Sequence, residues 1–252
     1  MHRFYIAPEQ WNPGAPVLSE SEAHHARDVL RLNSGDKLVL FNGRGRELTA
    51  EIVDLSNGKI RLRKLHETET PPLRCRIALG QAIPKGKNME LIVQKAVEIG
   101  AAEIAPIISD RTIVQLDTRT AAQKRAKWQQ IAIEAAKQCG QNWVPMVQTP
   151  CKIADFFEIA DADTSPVTLR LIASLQPDAH HLENILSEYS REHQERPANV
   201  LMLIGPEGDF TPAELALARR HGCQPISLGP IVLRVETAAI YCLSVLSYEL
   251  LT

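Results

Sequence analysis

The segment LIGPEGDFTPAEL, residues 203–215, carries the residue types most suggestive of a ligand site. An apolar run predicted to be a strand breaks into Gly205-Pro206-Glu207-Gly208, and Thr211 to Glu214 form a capping-box pattern with proline at the first helical position. Ligands of open α/β sheets bind beyond the carboxyl ends of the strands, at such strand-to-helix loops. The loop is therefore predicted to bind a ligand.

The chemistry of this loop argues against a phosphate ligand. Its sequence matches neither G-x-x-x-x-G-K-[ST] nor G-x-G-x-x-G, and Glu207 places a carboxylate where an anion would have to sit. A neutral or cationic ligand held through main-chain groups fits better. The missing fingerprint also argues against a nucleotide-binding oxidoreductase.

A second loop of the same kind follows in SLGPIVLRVETAAI, residues 227–240. A predicted strand ends at Leu228-Gly229-Pro230, and the last helix is predicted to begin near Glu236-Thr237. Loops that leave two strands of one sheet lie side by side and can form two walls of one pocket. The alternative is that each loop is only a turn stiffened by a proline.

The elements that must position these loops form two predicted domains. Residues 1–70 contain a helix-like stretch, 22–32, and short β-rich segments separated by turn signals at Ser34-Gly35-Asp36, Asn42-Gly43 and Asn57-Gly58. They predict a small β-rich domain. The polar, proline-containing segment 66–74 is predicted to be the linker.

Residues 74–252 show alternating strand and helix patterns, which predict an α/β domain whose parallel sheet lies between helices. The expected strands are 76–83, 102–109, 167–175, 199–205 and 225–229. The expected helices are 87–100, 119–139, 180–193, 213–222 and 237–251.

Composition narrows the class of protein further. The chain has 252 residues, of which 44% are hydrophobic and 23% charged, as in globular proteins. It shows no signal peptide and no apolar run long enough for a membrane span, so a cytoplasmic protein without a membrane partner is expected. Five scattered cysteines predict reduced thiols, mostly in the core, and the two His-His pairs lack the spacing of metal ligands, so no metal is expected.

The paired C-terminal loops resemble a known signature. LIGPEGDFTPAEL followed by SLGPIVLRVETAAI closely resembles the RsmE family of 16S ribosomal RNA uracil-N3 methyltransferases, which are S-adenosylmethionine-dependent enzymes of the SPOUT class. Residues 81–112 and 127–145 resemble further blocks of that family, and the N-terminal domain resembles its PUA-like RNA-binding module. The resemblance covers nearly the whole chain.

That resemblance implies properties that periodicity cannot show. They are a deep trefoil knot formed by the C-terminal segment, a homodimer, S-adenosyl-L-methionine as cofactor, and 16S rRNA within the assembled small ribosomal subunit as partner. Two alternatives stay open: a SPOUT methyltransferase acting on another RNA, and a non-catalytic RNA-binding assembly factor.

By the same resemblance, three loops are expected to hold the cofactor through main-chain groups and apolar side chains. Glycine permits the close approach of the main chain, and Leu228 and Leu233 are expected to sandwich adenine. The residues expected to contact the cofactor are Ser174, Leu175, Ile204, Gly205, Pro206, Glu207, Gly208, Leu228, Gly229, Ile231, Leu233, Arg234, Thr237 and Ala238.

Methylation of uracil N3 requires the loss of a weakly acidic proton, so a base and a positive charge near the carbonyl oxygens should help. Glu207 or Glu236 is expected to be the base, and Arg234 is expected to supply the charge. The sequence does not distinguish among these roles. The alternative for Glu236 is a structural carboxylate at the helix N-terminus.

Basic residues are expected to contact RNA phosphates. The net charge is only −2, yet residues 27–64 hold more Lys and Arg than Asp and Glu. Each candidate could equally be a solvated surface charge, and Gln141 stands where the resembled family more often has arginine. The candidates are Arg3, Arg27, Arg31, Arg44, Arg46, Lys85, Lys87 and Arg111.

Overall fold

The computed structural model describes residues 1–55, 60–112, 116–162 and 167–251, so the predicted turn at Asn57-Gly58 lies outside it. The chain divides into two compact units. Residues 1–72 and 133–144 form the first unit, and residues 73–132 and 145–252 form the second.

The first unit is built on a four-stranded sheet in the order β1-β2-β3-β4. Strands β1 and β2 are parallel and the other neighbours are antiparallel. Alternate residues such as Leu38, Leu40 and Leu48 face the buried core of this unit, as the two-residue period of a strand requires. The strands are β1 (His2–Tyr5), β2 (Lys37–Phe41), β3 (Arg46–Asp54) and β4 (Arg61–Glu69).

The helix predicted over 22–32 begins and ends earlier than expected. Helix α1 (Glu20–His24) is capped by the Ser19 hydroxyl, which accepts a hydrogen bond from the Glu22 amide, and continues as a π-helical turn over His25–Val29. Arg31 then has a φ of 54°, in the left-handed region, which ends the helix.

The second unit contains the predicted parallel sheet, in the order β10-β12-β9-β11-β5-β6-β7, with β8 paired to β6. Its central strands are buried on both faces, as in parallel sheets covered by helices. The α/β prediction is confirmed. The strands are β5 (Arg76–Ala82), β6 (Glu103–Ile108), β7 (Met146–Val147), β8 (Cys151–Lys152), β9 (Leu169–Ala173), β10 (His180–His181), β11 (Asn199–Ile204) and β12 (Gln224–Ser227).

Each helix predicted after residue 74 is present, with ends shifted by at most a few residues. Helix α2, for example, ends at Gly100, whose φ of 99° is the left-handed C-cap that favours glycine. The helices are α2 (Asn88–Ile99), α3 (Thr118–Cys139), α4 (Ile153–Ala162), α5 (Leu182–His193), α6 (Pro212–Arg220) and α7 (Val235–Leu250).

Four elements of the second unit were absent from the sequence prediction. Strands β7, β8 and β10 each have two residues, too few to show a period. Helix α4 did carry a usable signal, because Ile153, Phe156 and Phe157 follow the i, i+3, i+4 spacing of a buried helix face.

Within the described ranges, no helix is long and apolar enough to cross a membrane. The same ranges contain no group of three or more His, Cys, Asp or Glu side chains that could hold a metal ion. All five cysteines are free, and three of them are buried. Burial raises the pKa of Cys223 and of Cys242 to about 12, so both remain neutral thiols in the core.

Candidate active site

A cavity of about 700 Å³ lies beyond the carboxyl ends of β9, β11 and β12, where open α/β sheets bind ligands. Its volume suits a small-molecule ligand. The first residue of α2 and the start of α7 complete the wall. The lining residues are Asn88, 173–176, 204–207, Asp209, 227–236 and Ala238.

The cavity brings together nearly all the residues expected to contact a cofactor. Only Gly208 and Thr237 of that set do not line it. Asn88 and Asp209 are two of the lining residues that were not predicted. No local signal marks Asn88, because only the packing of α2 against α7 brings it to the cavity.

The first Gly-Pro loop is held in shape by its own hydrogen bonds. The Asp209 amide donates to the Pro206 carbonyl at 2.9 Å, and Asp209 has a φ of 62°. The predicted capping box is confirmed: the Glu214 amide donates to Thr211 Oγ1 at 3.3 Å, and the Thr211 amide donates to Glu214 Oε2 at 2.8 Å. Buried Phe210 anchors the end of the loop.

Glu214 also ties this loop to the turn that follows β6. Its buried carboxylate accepts hydrogen bonds from the Asp110 amide at 2.9 Å and from the Ser109 hydroxyl at 3.2 Å. Arg111, in the same turn, donates to the Gly208 carbonyl. The shape of the first loop therefore depends on a turn 97 to 105 residues away in sequence.

Replacing Glu214 by alanine is expected to lower the free energy of unfolding by about 2 kcal/mol, because it leaves buried donors without an acceptor. Urea unfolding of the full chain measures the change. Glu158→Ala, at an exposed position of α4, is the matched control. A Glu214→Ala variant as stable as this control would contradict the role assigned to Glu214.

Glu207 bridges two loops of the cavity wall. Its Oε1 accepts a hydrogen bond from the Lys85 amide at 2.8 Å, so the carboxylate joins the Gly-Pro loop to the segment between β5 and α2. This contact gives Glu207 a positioning role.

Replacing Glu207 by alanine is expected to weaken cofactor binding roughly tenfold, because a charge-assisted hydrogen bond is worth about 1.5 kcal/mol or more. Glu207→Gln retains an acceptor oxygen and is expected to bind and turn over nearly as the wild type does. Calorimetry with S-adenosylmethionine and turnover assays distinguish the roles: a Glu207→Gln variant that binds normally but turns over far more slowly would make Glu207 the base instead.

The second Gly-Pro loop curls over the cavity after β12. Gly229 has a φ of 102°, a conformation that favours glycine, and its amide donates to Ser227 Oγ at 3.3 Å. Ile231 and Val232 follow at 73% exposure, so the apolar edge of the cavity is open to solvent. A ligand could bury these side chains.

Arg234 and Glu236 lie on one side of the cavity, at the beginning of α7. Arg234 is the N-cap of the helix, although its side chain makes no capping hydrogen bond, and Glu236 is in the first turn. Glu236 Oε2 accepts a hydrogen bond from Asn88 Nδ2 at 3.2 Å. Asn88 therefore orients the Glu236 carboxylate at the edge of the cavity.

The arginines of the first unit that are candidate RNA contacts differ in burial and in whether their guanidinium groups already have a partner. Arg3 is mostly buried, pairs with Glu47 at 2.7 Å and donates to Asn142 Oδ1 at 2.5 Å, so it serves the packing of this unit. Arg27 makes a two-pronged ion pair with its neighbour Asp28. The other three candidates have exposed side chains that make no hydrogen bond to any described residue; they are Arg31, Arg44 and Arg46.

In the second unit, Lys85 and Lys87 are exposed on the segment before α2. Arg111 is also exposed, but its guanidinium is engaged by Gly208. Their contacts with RNA stay predictions.

Sequence comparison assigns both parts of the chain to known families. Residues 71–247 match a model described as an RNA methyltransferase domain, and residues 18–65 match one described as an RNA methyltransferase PUA domain. Two relatives are both called ribosomal RNA small subunit methyltransferase E. The protein of Bacillus subtilis is 32% identical over 99% of this chain and 97% of its own, and that of Synechocystis is 32% identical over 96% and 76%.

Solved structures agree with these assignments. A protein of Legionella pneumophila, solved in complex with the bound cofactor SAM, has a TM-score of 0.84 and 35% identity, with 99% of this chain and 98% of that chain covered. Ribosomal RNA small subunit methyltransferase E of Neisseria gonorrhoeae, bound to S-adenosylmethionine, has a TM-score of 0.83 and 31% identity, with the same coverage. The chain belongs to the ribosomal RNA small subunit methyltransferase E family, and its fold is that of the SPOUT methyltransferases.

Proposed function

We propose that this chain, an S-adenosylmethionine-dependent ribosomal RNA methyltransferase, methylates N3 of uracil at one uridine of 16S rRNA in the assembled small ribosomal subunit. One observation carries the proposal. A single cavity is walled by both Gly-Pro loops and has a carboxylate, Glu236, and a guanidinium, Arg234, on one side.

The residues of the cavity fit S-adenosylmethionine. Leu228 and Leu233 offer apolar surface for adenine, while the glycine-containing loops present main-chain donors and acceptors. Three carboxylates around the cavity, those of Glu207, Asp209 and Glu236, suit a cationic ligand. When bound, S-adenosylmethionine supplies an electrophilic methyl group attached to a positively charged sulfur.

Glu236 is the proposed base. Its carboxylate takes the proton from uracil N3, and the electron pair left on nitrogen forms the bond to the methyl carbon while the bond from that carbon to sulfur breaks. Asn88 holds the carboxylate through its amide. Glu207 is less suited to the role, because its carboxylate is already engaged with the Lys85 amide.

Arg234 is the proposed stabiliser of the developing anion. Loss of the N3 proton spreads negative charge onto the two flanking carbonyl oxygens of uracil, and a guanidinium donates to such oxygens in a fixed fork. Arg234 borders the same side of the cavity as Glu236, two residues earlier.

We further propose that the C-terminal segment forms a trefoil knot and that two copies of the chain form a homodimer in the cytoplasm. The family and the return of the chain through α7, which packs on α2 and on the central strands, support the knot. Exposed Tyr241 and Tyr248 on α7 support an apolar interface between copies.

Methyl transfer to small subunits tests the proposal directly. Purified protein is incubated with radiolabelled S-adenosylmethionine and small subunits from a strain that lacks its own enzyme, and the digested rRNA is expected to release labelled 3-methyluridine. Label found only on transfer RNA or on a ribose hydroxyl would reject this substrate and favour another SPOUT activity. Failure to bind S-adenosylmethionine would favour a non-catalytic assembly factor.

A further inference from the structure

Trp143 is a partly exposed aromatic residue held beside two exposed arginines in the first unit. The main chain of Trp143 forms an isolated antiparallel β-bridge with that of Arg44, which lies in the loop that connects β2 to β3. The loop, residues 42–46, has the sequence NGRGR, and the segment that pairs with it, residues 141–144, has the sequence QNWV. We call these two segments together the Trp143 platform.

The platform is rigid because main-chain bonds join its two segments. The Val144 amide donates to the Gly43 carbonyl at 3.0 Å, and the Gly45 amide donates to the Asn142 carbonyl at 2.9 Å. Asn42 Oδ1 accepts from the amides of Arg44 and Arg46 at 2.8 and 3.0 Å. Both arginines are thus presented from a fixed backbone.

Gly45 allows the indole ring of Trp143 to lie directly on the loop. A Cβ atom on Gly45 would lie 2.5 Å from the Thr70 carbonyl oxygen and 2.9 Å from Cζ2 of Trp143, and the φ of Gly45 is 88°. The indole Nε1 donates to that same Thr70 carbonyl at 2.9 Å. The polar edge of the ring is therefore satisfied within the protein, and 36% of the residue is still exposed to solvent.

The exposed groups of the platform match the chemistry of a single-stranded nucleic acid. An unpaired base has a flat apolar face that stacks on an aromatic side chain, and its phosphate accepts hydrogen bonds from guanidinium groups. Neither the Arg44 nor the Arg46 guanidinium has a hydrogen-bond partner in the described part of the chain.

We propose that the Trp143 platform binds an unpaired nucleotide of the RNA substrate, whose base stacks on the indole of Trp143 while Arg44 and Arg46 contact the adjacent phosphates. This inference rests on the proposed function only in taking RNA as the substrate. The proposal adds a nucleotide contact whose residues all belong to the first unit.

The test compares Trp143→Leu with Trp143→Phe in the full chain. Leucine keeps an apolar side chain but cannot stack, whereas phenylalanine can stack but loses the Nε1 hydrogen bond to Thr70. The probe is a short fluorescein-labelled oligouridylate, with an RNA duplex of equal length as the reference, and fluorescence anisotropy measures both affinities. Calorimetry with S-adenosylmethionine checks that each variant is folded and binds cofactor.

Trp143→Leu is expected to weaken oligouridylate binding roughly tenfold and to leave duplex binding unchanged, whereas Trp143→Phe stays close to wild type. Arg44→Ala is expected to weaken both probes and to lower the slope of affinity against salt concentration by about one.

Three results with the oligouridylate probe alone would overturn the inference. They are equal oligouridylate affinity in the wild type and Trp143→Leu, equal losses in the leucine and phenylalanine variants, and no binding of oligouridylate by the wild type. Intact oligouridylate binding by Trp143→Leu combined with weaker binding to whole small subunits would point to a protein partner and would likewise reject it. If the wild type methylates an atom other than N3 while Trp143→Leu loses oligouridylate affinity, the proposed function fails and the platform stands.

Discussion

Replacing Glu236 by glutamine is expected to lower kcat by about 10²- to 10⁴-fold, the usual contribution of a general base, without changing the affinity for S-adenosylmethionine. Glutamine has nearly the same shape and can still accept the hydrogen bond from Asn88 Nδ2. It cannot take the N3 proton at neutral pH. The variant therefore removes the proton acceptor and little else.

Single-turnover kinetics with small subunits measures the chemical step, and calorimetry measures cofactor binding. Glu249→Gln, an exposed carboxylate near the end of the same helix, is the matched control and is expected to behave as the wild type. If Glu236→Gln turns over at the rate of this control, Glu236 is only a favourable carboxylate at the N-terminus of α7.

Replacing Arg234 by alanine is expected to lower kcat by about 10²- to 10³-fold, as the loss of one donor to a developing oxyanion does in other enzymes. Arg234→Lys keeps the positive charge but not the two-pronged geometry, so partial activity is expected. Arg234 is exposed and its side chain caps nothing, so the fold should tolerate both changes.

Measuring cofactor affinity beside turnover separates the two roles open to Arg234. Equal losses in affinity and in kcat/KM would mean that Arg234 holds the cofactor, whereas loss of kcat at unchanged affinity would place it in the chemical step. Arg220→Ala, an exposed arginine in the last turn of α6, is the control. Full activity of both Arg234 variants would remove this residue from the mechanism.

The sequence by itself determined the α/β class and the position of the paired loops. Strand and helix signals are local: apolar periodicity, the capping box at Thr211 and Glu214, and the glycine that ends α2 each act within a few residues. Parallel strands end at the same edge of a sheet, so both Gly-Pro loops line one cavity. They do not leave adjacent strands as expected, because β9 lies between β11 and β12. The cavity still contains nearly every residue expected there.

Only the tertiary structure decided which side chains meet across long stretches of chain. Asn88 reaches Glu236, Glu207 reaches the Lys85 amide, and residues 133–144 join the first unit. Arg3 is a further example. The sequence makes it a candidate phosphate contact, whereas in the structure its mostly buried side chain pairs with Glu47. Such pairings depend on how helices and loops pack against each other, and local periodicity does not encode that packing. The sequence therefore predicted the loops, and the tertiary structure determined which distant residues contact them.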